Sequence, residues 1–233
     1  MKRLRTLFAS LAILSGSLAA PLGAAEHLDS AANITASQAL VKIPAATLDM
    51  LSTSMRLDML EYLKHDSIYE VPNVLEGLSR FNPPVTDDYL QIQVTPVSRF
   101  SIRILPGKKE PVVATAYTVG DSLEAPDTQL QFFTTDMQEI KLDKVFRLLS
   151  TSDFLDLHGL SRRERNEIIE LVPFPMVEYS FSPDGTDLTA QLTSGEFLGR
   201  EVNERLRPYL RRVRTLRWDG HQYKLVKLED KKE

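Results

Sequence analysis

Apolar residues repeat along this chain in two alternating rhythms, every third or fourth position and then every second, and each change of rhythm marks a change of element. Folded structure is predicted to begin near Ile43. Pro44 suits the first turn of a helix, and Leu48, Leu51, Met55, Met59, Leu60 and Leu63 recur at helical spacing, with Ser52 to Ser54 placed to divide the stripe into two short helices. Pro72, Gly77, Asn82, Pro83 and Pro84 then interrupt regular structure and predict a connecting loop with one helical turn at Val74 to Leu78. From Tyr89 the period is two. Leu90, Ile92 and Val94 alternate with Tyr89, Gln91 and Gln93, and Phe100, Ile102 and Ile104 alternate with Ser101 and Arg103, which predicts two half-buried strands. Val112 to Val119 and Leu130 to Thr135 supply a third and a fourth. The short gaps at Pro96 to Ser98 and Gly107 to Pro111 leave no room for parallel crossovers, so these strands form an antiparallel meander.

Helical spacing returns at Leu142, Val145, Phe146 and Leu149, and again after Ser161, which with Glu164 makes a capping box ahead of Ile168, Ile169 and Val172. Two hairpins close the chain. Val177, Tyr179 and Phe181 pair with Leu188, Ala190 and Leu192 across Pro183-Asp184-Gly185-Thr186, and Val213 to Trp218 pairs with Gln222 to Leu228 across Asp219-Gly220, the pair that a two-residue type I′ turn favours. Lys227 to Glu233 is a charged tail. The fold expected is α+β: antiparallel meander sheets covered by short helices, in two similar halves packed together, residues 43–140 and 141–233.

Ahead of the fold, Lys2, Arg3 and Arg5 precede an apolar run from Leu7 to Leu18 and the small residues Gly23-Ala24-Ala25. This is the pattern of a secretory signal peptide over residues 1–25, cut after Ala25, and its apolar run is shorter than the ~20 residues of a spanning helix. Residues 26–42, rich in Ala, Ser and Asn, read as a mobile lead-in. With 28 basic and 32 acidic residues the net charge is -4, and losing the leader's three cations makes the exported chain more acidic still. That charge disfavours nucleic acid or an anionic membrane as a whole-surface partner, leaving only local patches to bind either, and no membrane-spanning segment is expected once the leader is gone. The chain has no cysteine, which excludes disulfides, thiol catalysis, thiolate metal sites and a lipoprotein anchor.

Candidate chemistry is sparse. Asp87 and Asp88 are adjacent, but neighbours on an extended chain point in opposite directions, and the plainer reading is a solvated turn. His27, His65, His158 and His221 lack the spacing of compact zinc motifs, and there is no Gly-x-Ser-x-Gly or Ser-x-x-Lys nucleophile signature. No catalytic residue, metal site or cofactor is assigned. Arg200, Arg205, Arg207, Arg211, Arg212, Arg214 and Arg217 place seven arginines in eighteen residues against only Glu201 and Glu204. Guanidinium forks match phosphate and carboxylate groups of envelope polysaccharides or lipid head groups, and Arg207, Arg211, Arg212 and Arg214 are the binding candidates, set against the plainer reading of a solvated face. Trp218 and Tyr223 flank the last turn and read either as an exposed aromatic pair for a sugar ring or as a cross-strand contact.

Ile43-Pro44 followed by Leu48 and Leu51, Arg56-Leu57-Asp58 to Tyr62, Thr86-Asp87-Asp88-Tyr89-Leu90, Phe133-Thr134-Thr135-Asp136, Tyr209-Leu210 and Trp218-Asp219-Gly220 together resemble an uncharacterised family of exported proteins of unknown function from Gram-negative anaerobes. The resemblance implies a periplasmic location and brings no activity or cofactor. Organisms of this kind can O-glycosylate exported proteins at Asp-Ser/Thr-aliphatic tripeptides, a loose pattern that Asp29-Ser30-Ala31, Asp66-Ser67-Ile68 and Asp121-Ser122-Leu123 match. The function expected is a non-enzymatic periplasmic binding or interaction module for an envelope protein or anionic glycan. The alternative is an envelope carbohydrate hydrolase built on two carboxylates. An enzyme predicts a deep site where two carboxylates and an aromatic wall converge, and an interaction module predicts a shallow patch or an open strand edge.

Overall fold

Thr35 closes a helix start on itself: its hydroxyl accepts from Gln38 N while its own N–H donates to the Gln38 amide oxygen. Helix α1 (Ala36–Lys42) follows, with Ala36, Ala39 and Leu40 fully buried. The computed structural model describes residues 34–65, 69–120 and 125–227, all within one compact unit, Asn33–Glu233. Residues 36–42 thus form a helix with one buried face, and not the mobile lead-in their composition predicts, because alanines give little periodic signal yet let a helix pack closely. Residues 1–33, with the expected signal peptide and His27, and the three candidate glycosylation tripeptides lie wholly outside the described residues. After α1, Pro44 starts a single 3₁₀ turn, Ala45–Thr47, and the longer helix α2 (Thr53–Lys64) begins where the Ser52 hydroxyl accepts from Met55 N. The break expected at Ser52 to Ser54 is the start of α2, but Leu48 and Leu51, read as part of a first short helix, are buried between the 3₁₀ turn and α2 and belong to neither.

Residues 71–82 depart from expectation. In place of a loop with a helical turn they form the hairpin of β1 (Val71–Pro72) and β2 (Leu78–Asn82). Asn73 organises it: its side-chain oxygen accepts from Leu75 N and Gly77 N, and its amide donates to Val94 O and Ser79 Oγ. Strands β3 (Tyr89–Thr95), β4 (Ser98–Leu105), β5 (Val112–Val119), β6 (Asp127–Phe133) and β7 (Glu139–Ile140) continue the meander, so a seven-stranded antiparallel sheet runs in chain order.

The stretch predicted helical from Leu142 to Leu149 forms only one turn, α3 (Leu142–Val145). Phe146 is already extended, and Ser150 and Asp153 bond each other to close a separate 3₁₀ turn, Thr151–Phe154. Short hydroxyl and carboxylate side chains compete with the backbone in this way and end helices. The Ser161–Glu164 capping box does start a helix, α4 (Arg162–Ile169). Strands β8 (Val177–Phe181) and β9 (Leu188–Leu192), helix α5 (Arg200–Leu206), β10 (Val213–Trp218) and β11 (Tyr223–Leu225) complete the chain, with a second antiparallel sheet in the order β11-β10-β9-β8. The last turn differs from the type I′ expectation. Gly220 alone has positive φ, and the Asp219 carboxylate accepts from His221 N and Gln222 N to hold the reversal.

The alternating pattern of the strands sorts side chains into two cores. Leu90, Ile92, Phe100, Ile102 and Phe133 pack with α1 and α2, while Tyr89, Leu105, Ala116 and Phe132 pack with Tyr179, Leu188 and Trp218 of the second sheet. Strand β4 is therefore covered on both faces, not half-buried as predicted. Ser101 and Arg103 face the second sheet and are buried, and Arg103 reaches Asp88 Oδ2 at 2.8 Å and Pro183 O at 3.2 Å. A smaller core of Leu155, Val172 and Leu206, flanked by Ile168, Leu198 and Val202, ties α4 to α5. The class is α+β with antiparallel sheets and short helices.

Candidate functional site

The arginine-rich stretch, read as a strand only from Val213 onward, divides between α5 and β10, and the division sends its side chains to different places. Arg214 goes inward. It is buried, with Nη2 donating to Val226 O at 3.0 Å and Nη1 to Asp153 O, and loss of solvent lowers its pKa from the ordinary guanidinium value. Its work is to satisfy carbonyls, so it is removed from the binding candidates. Trp218 and Tyr223 are removed as well: they lie opposite each other on β10 and β11 with ring centroids 5.2 Å apart and only 7% and 4% exposed. Trp218 Nε1 donates to Pro106 O at 2.7 Å, and burial pushes the Tyr223 hydroxyl well above the usual phenol range. The pair is the cross-strand contact, since amphipathic rings bury against each other where the strand register places them together.

Arg207, Arg211 and Arg212 stay at the surface. Arg211 donates to Asp156 Oδ2 at 2.7 Å, and the chain there is seated by Arg211 N on Phe154 O. Arg207 and Arg212 line a hollow of about 740 Å³ with Asn203 and Gly195, and the Arg200–Glu204 ion pair, 2.9 Å, closes its side. Among the described residues Arg207 has no ion-pair partner. Arg212 also lines an adjoining hollow of about 410 Å³, with Gln93, Arg99, Glu178, Gln191 and Thr193. One guanidinium thus faces two hollows.

The walls are fixed by polar side chains. Asn203 Nδ2 donates to Gly195 O at 3.0 Å and Leu198 O at 2.9 Å, which pins the 3₁₀ turn Ser194–Phe197 onto α5. Thr193 Oγ1 donates to Pro126 O at 2.7 Å and Met176 O at 3.0 Å, and Arg99 on β4 pairs with Glu178 on β8 to join the two sheets. Arg212 Nη2 and Asn203 Oδ1 both approach Gly195, each 3.4 Å from where a Cβ would stand, an ordinary contact distance. Sequence reasoning found Arg207 and Arg212 but missed Arg99, Glu178, Thr193 and Asn203. These come from separate strands and loops, and no local pattern joins them.

The remaining candidates are structural or isolated. Asp88 holds Arg103, Asp87 accepts α1's first N–H through its carbonyl, and His65, His158 and His221 sit at exposed ends and turns. Among the described residues no three His, Asp or Glu side chains are grouped to hold a metal ion, and no helix is long and apolar enough to cross a membrane.

Fold and site together define a two-sheet α+β protein with an arginine-lined surface hollow. The chain belongs to the family described as Protein of unknown function (DUF3256), whose profile matches residues 29–223. It is similar to a domain of an uncharacterized protein from Porphyromonas gingivalis W83, at a TM-score of 0.70 and 18% identity over 82% of this chain and 96% of that one. At that identity the likeness is one of fold alone. No curated protein matches the chain.

Proposed function

We propose that the protein is an exported, non-enzymatic binding module that works in the periplasm and takes an anionic glycan of the cell envelope into the hollow beside α5. The observation that carries this reading is the placement of Arg212 between two adjoining hollows, with Arg207 on the same wall. Guanidinium groups bind carboxylate or phosphate oxygens bidentately. Asn203, Gln93 and Gln191 line the same hollows with amides, which match sugar hydroxyls. Volumes of about 740 and 410 Å³ fall within the range for small-ligand sites and suit a short saccharide better than a protein surface. Among the described side chains each hollow is lined by one carboxylate, Glu178 or Glu204, and each of these is already paired with an arginine. Export rests on the leader motif.

Isothermal titration tests the reading, using a short oligogalacturonate and its carboxyl-reduced, neutral counterpart. The acidic sugar is expected to bind and the neutral one to bind at least tenfold more weakly. Arg207→Ala with Arg212→Ala is expected to weaken the acidic sugar by tenfold or more, since a lost charge-assisted contact is worth about 1.5–3 kcal/mol. Equal affinity for both sugars, or an unaffected double variant, overturns it.

A further inference from the structure

Phe174 is 83% exposed and Phe197 65% exposed, yet neither belongs to a loose segment. Phe174 sits between Pro173 and Pro175, whose rings restrict the backbone on both sides and hold the phenyl outward at low entropic cost. Its carbonyl accepts from Ser194 Oγ at 3.2 Å, and the same buried hydroxyl accepts from Met176 N at 2.7 Å. Ser194 opens the 3₁₀ turn that ends at Phe197. One buried serine therefore ties together two segments that each present a phenyl ring to solvent.

The stretch that follows these rings is richer in arginine than the chain as a whole: Arg200 pairs with Glu204 and Arg211 with Asp156, while Arg205 and Arg207 are exposed. Between positions 200 and 212 there are five arginines and two glutamates, against a net charge of -4 for the chain. Helix α5 starts three residues after Phe197, and Asn203 on it holds the turn that carries Phe197. Protruding aromatic rings beside a cationic rim are complementary to an anionic lipid surface: the rings enter the boundary between head groups and acyl chains, and arginines meet phosphates with their stems lying along apolar surface. A ring held out at 83% exposure is a point and not a flat patch. A fluid surface accommodates it without a matching pocket.

The geometry points to a peripheral docking surface, Phe174 and Phe197 with the exposed Arg205 and Arg207 at the end of α5, that seats the protein on an anionic lipid bilayer. Docking goes beyond the glycan reading and does not depend on it. It places the arginine hollow at the level of the head groups. Because the chain's overall charge opposes approach and screening at physiological salt acts over about 8 Å, attachment is short-range, confined to this face and sensitive to salt.

Co-sedimentation with vesicles tests it, using the protein purified after export and its variants in the same processed form. The wild type is expected to bind vesicles of phosphatidylethanolamine and phosphatidylglycerol mixed about three to one, to leave them as salt rises, and to ignore phosphatidylcholine. Phe174→Ser with Phe197→Ser is expected to reduce binding at least tenfold while keeping the melting temperature and the affinity for oligogalacturonate. Equal vesicle binding by wild type and variant overturns the docking surface. So does absence of wild-type binding, or phenyl-dependent self-association in sedimentation velocity without lipid. A protein that binds oligogalacturonate but no vesicle keeps the glycan reading and loses this one, and the converse result separates them the other way.

Discussion

Arg56 shows how far a single side chain can determine a region. It is 1% exposed and has no carboxylate partner among the described residues. Its guanidinium donates instead to four carbonyls, Leu40 O, Ile43 O, Leu48 O and Leu51 O, at 2.7 to 3.3 Å. Two of these acceptors lie at the end of α1 and the others after the 3₁₀ turn, where backbone oxygens lack helical partners. One arginine thus satisfies the chain reversals that bring α1 and α2 onto the large sheet, and burial lowers its pKa from the ordinary guanidinium value. Arg56→Met keeps the stem and strands the acceptors, so it is expected to cost about 3–5 kcal/mol, or roughly 10 °C in thermal unfolding. Arg56→Lys, with three donors and no fork, should fall between. An unchanged melting temperature for Arg56→Met contradicts this role. In the sequence Arg56 stands three positions before Met59, on the same helical face, but a charged residue is read as solvated and so the centre of that face was missed.

At the scale of elements, strands were legible where buried positions carry large apolar side chains at period two. The spans of β5, β8, β9 and β10 coincide with those read from the sequence. The β1–β2 hairpin was not legible, because its core-facing positions include Ser79 and its turn is made by a buried asparagine. A polar residue with all its bonds made inside occupies a core position without a hydrophobic signal. Helix α5 was hidden for the opposite reason: its charges dominate the pattern, and only Leu206 on it is buried. Asn73→Ala removes contacts to Leu75, Gly77, Ser79 and Val94 together. It is expected to cost about 2–4 kcal/mol and to raise hydrogen exchange across 71–82 above that of β4 and β5. Protection at 71–82 equal to that of the wild type contradicts the assignment of that turn to Asn73.

Taken as a whole molecule, the protein places a seven-stranded sheet between helices on one face and a four-stranded sheet on the other, with Arg99–Glu178 bonding across the two sheets at the base of a hollow. The surface arginines of the site were legible because they cluster in sequence. Its inner wall was not, because Arg99, Glu178 and Thr193 meet only when both sheets are formed. Trp218 and Tyr223 were misplaced among the binding candidates because an aromatic pair beside a turn has the same composition whether it faces solvent or core. The account turns on Arg207 and Arg212 receiving an anionic group, and nitrogen-15 NMR of the arginine Nε–H signals during titration with oligogalacturonate reads that contact directly. The result predicted is saturable movement of the Arg207 and Arg212 signals while that of buried Arg214 stays in place. Signals of Arg207 and Arg212 that remain unmoved at saturating sugar would contradict it.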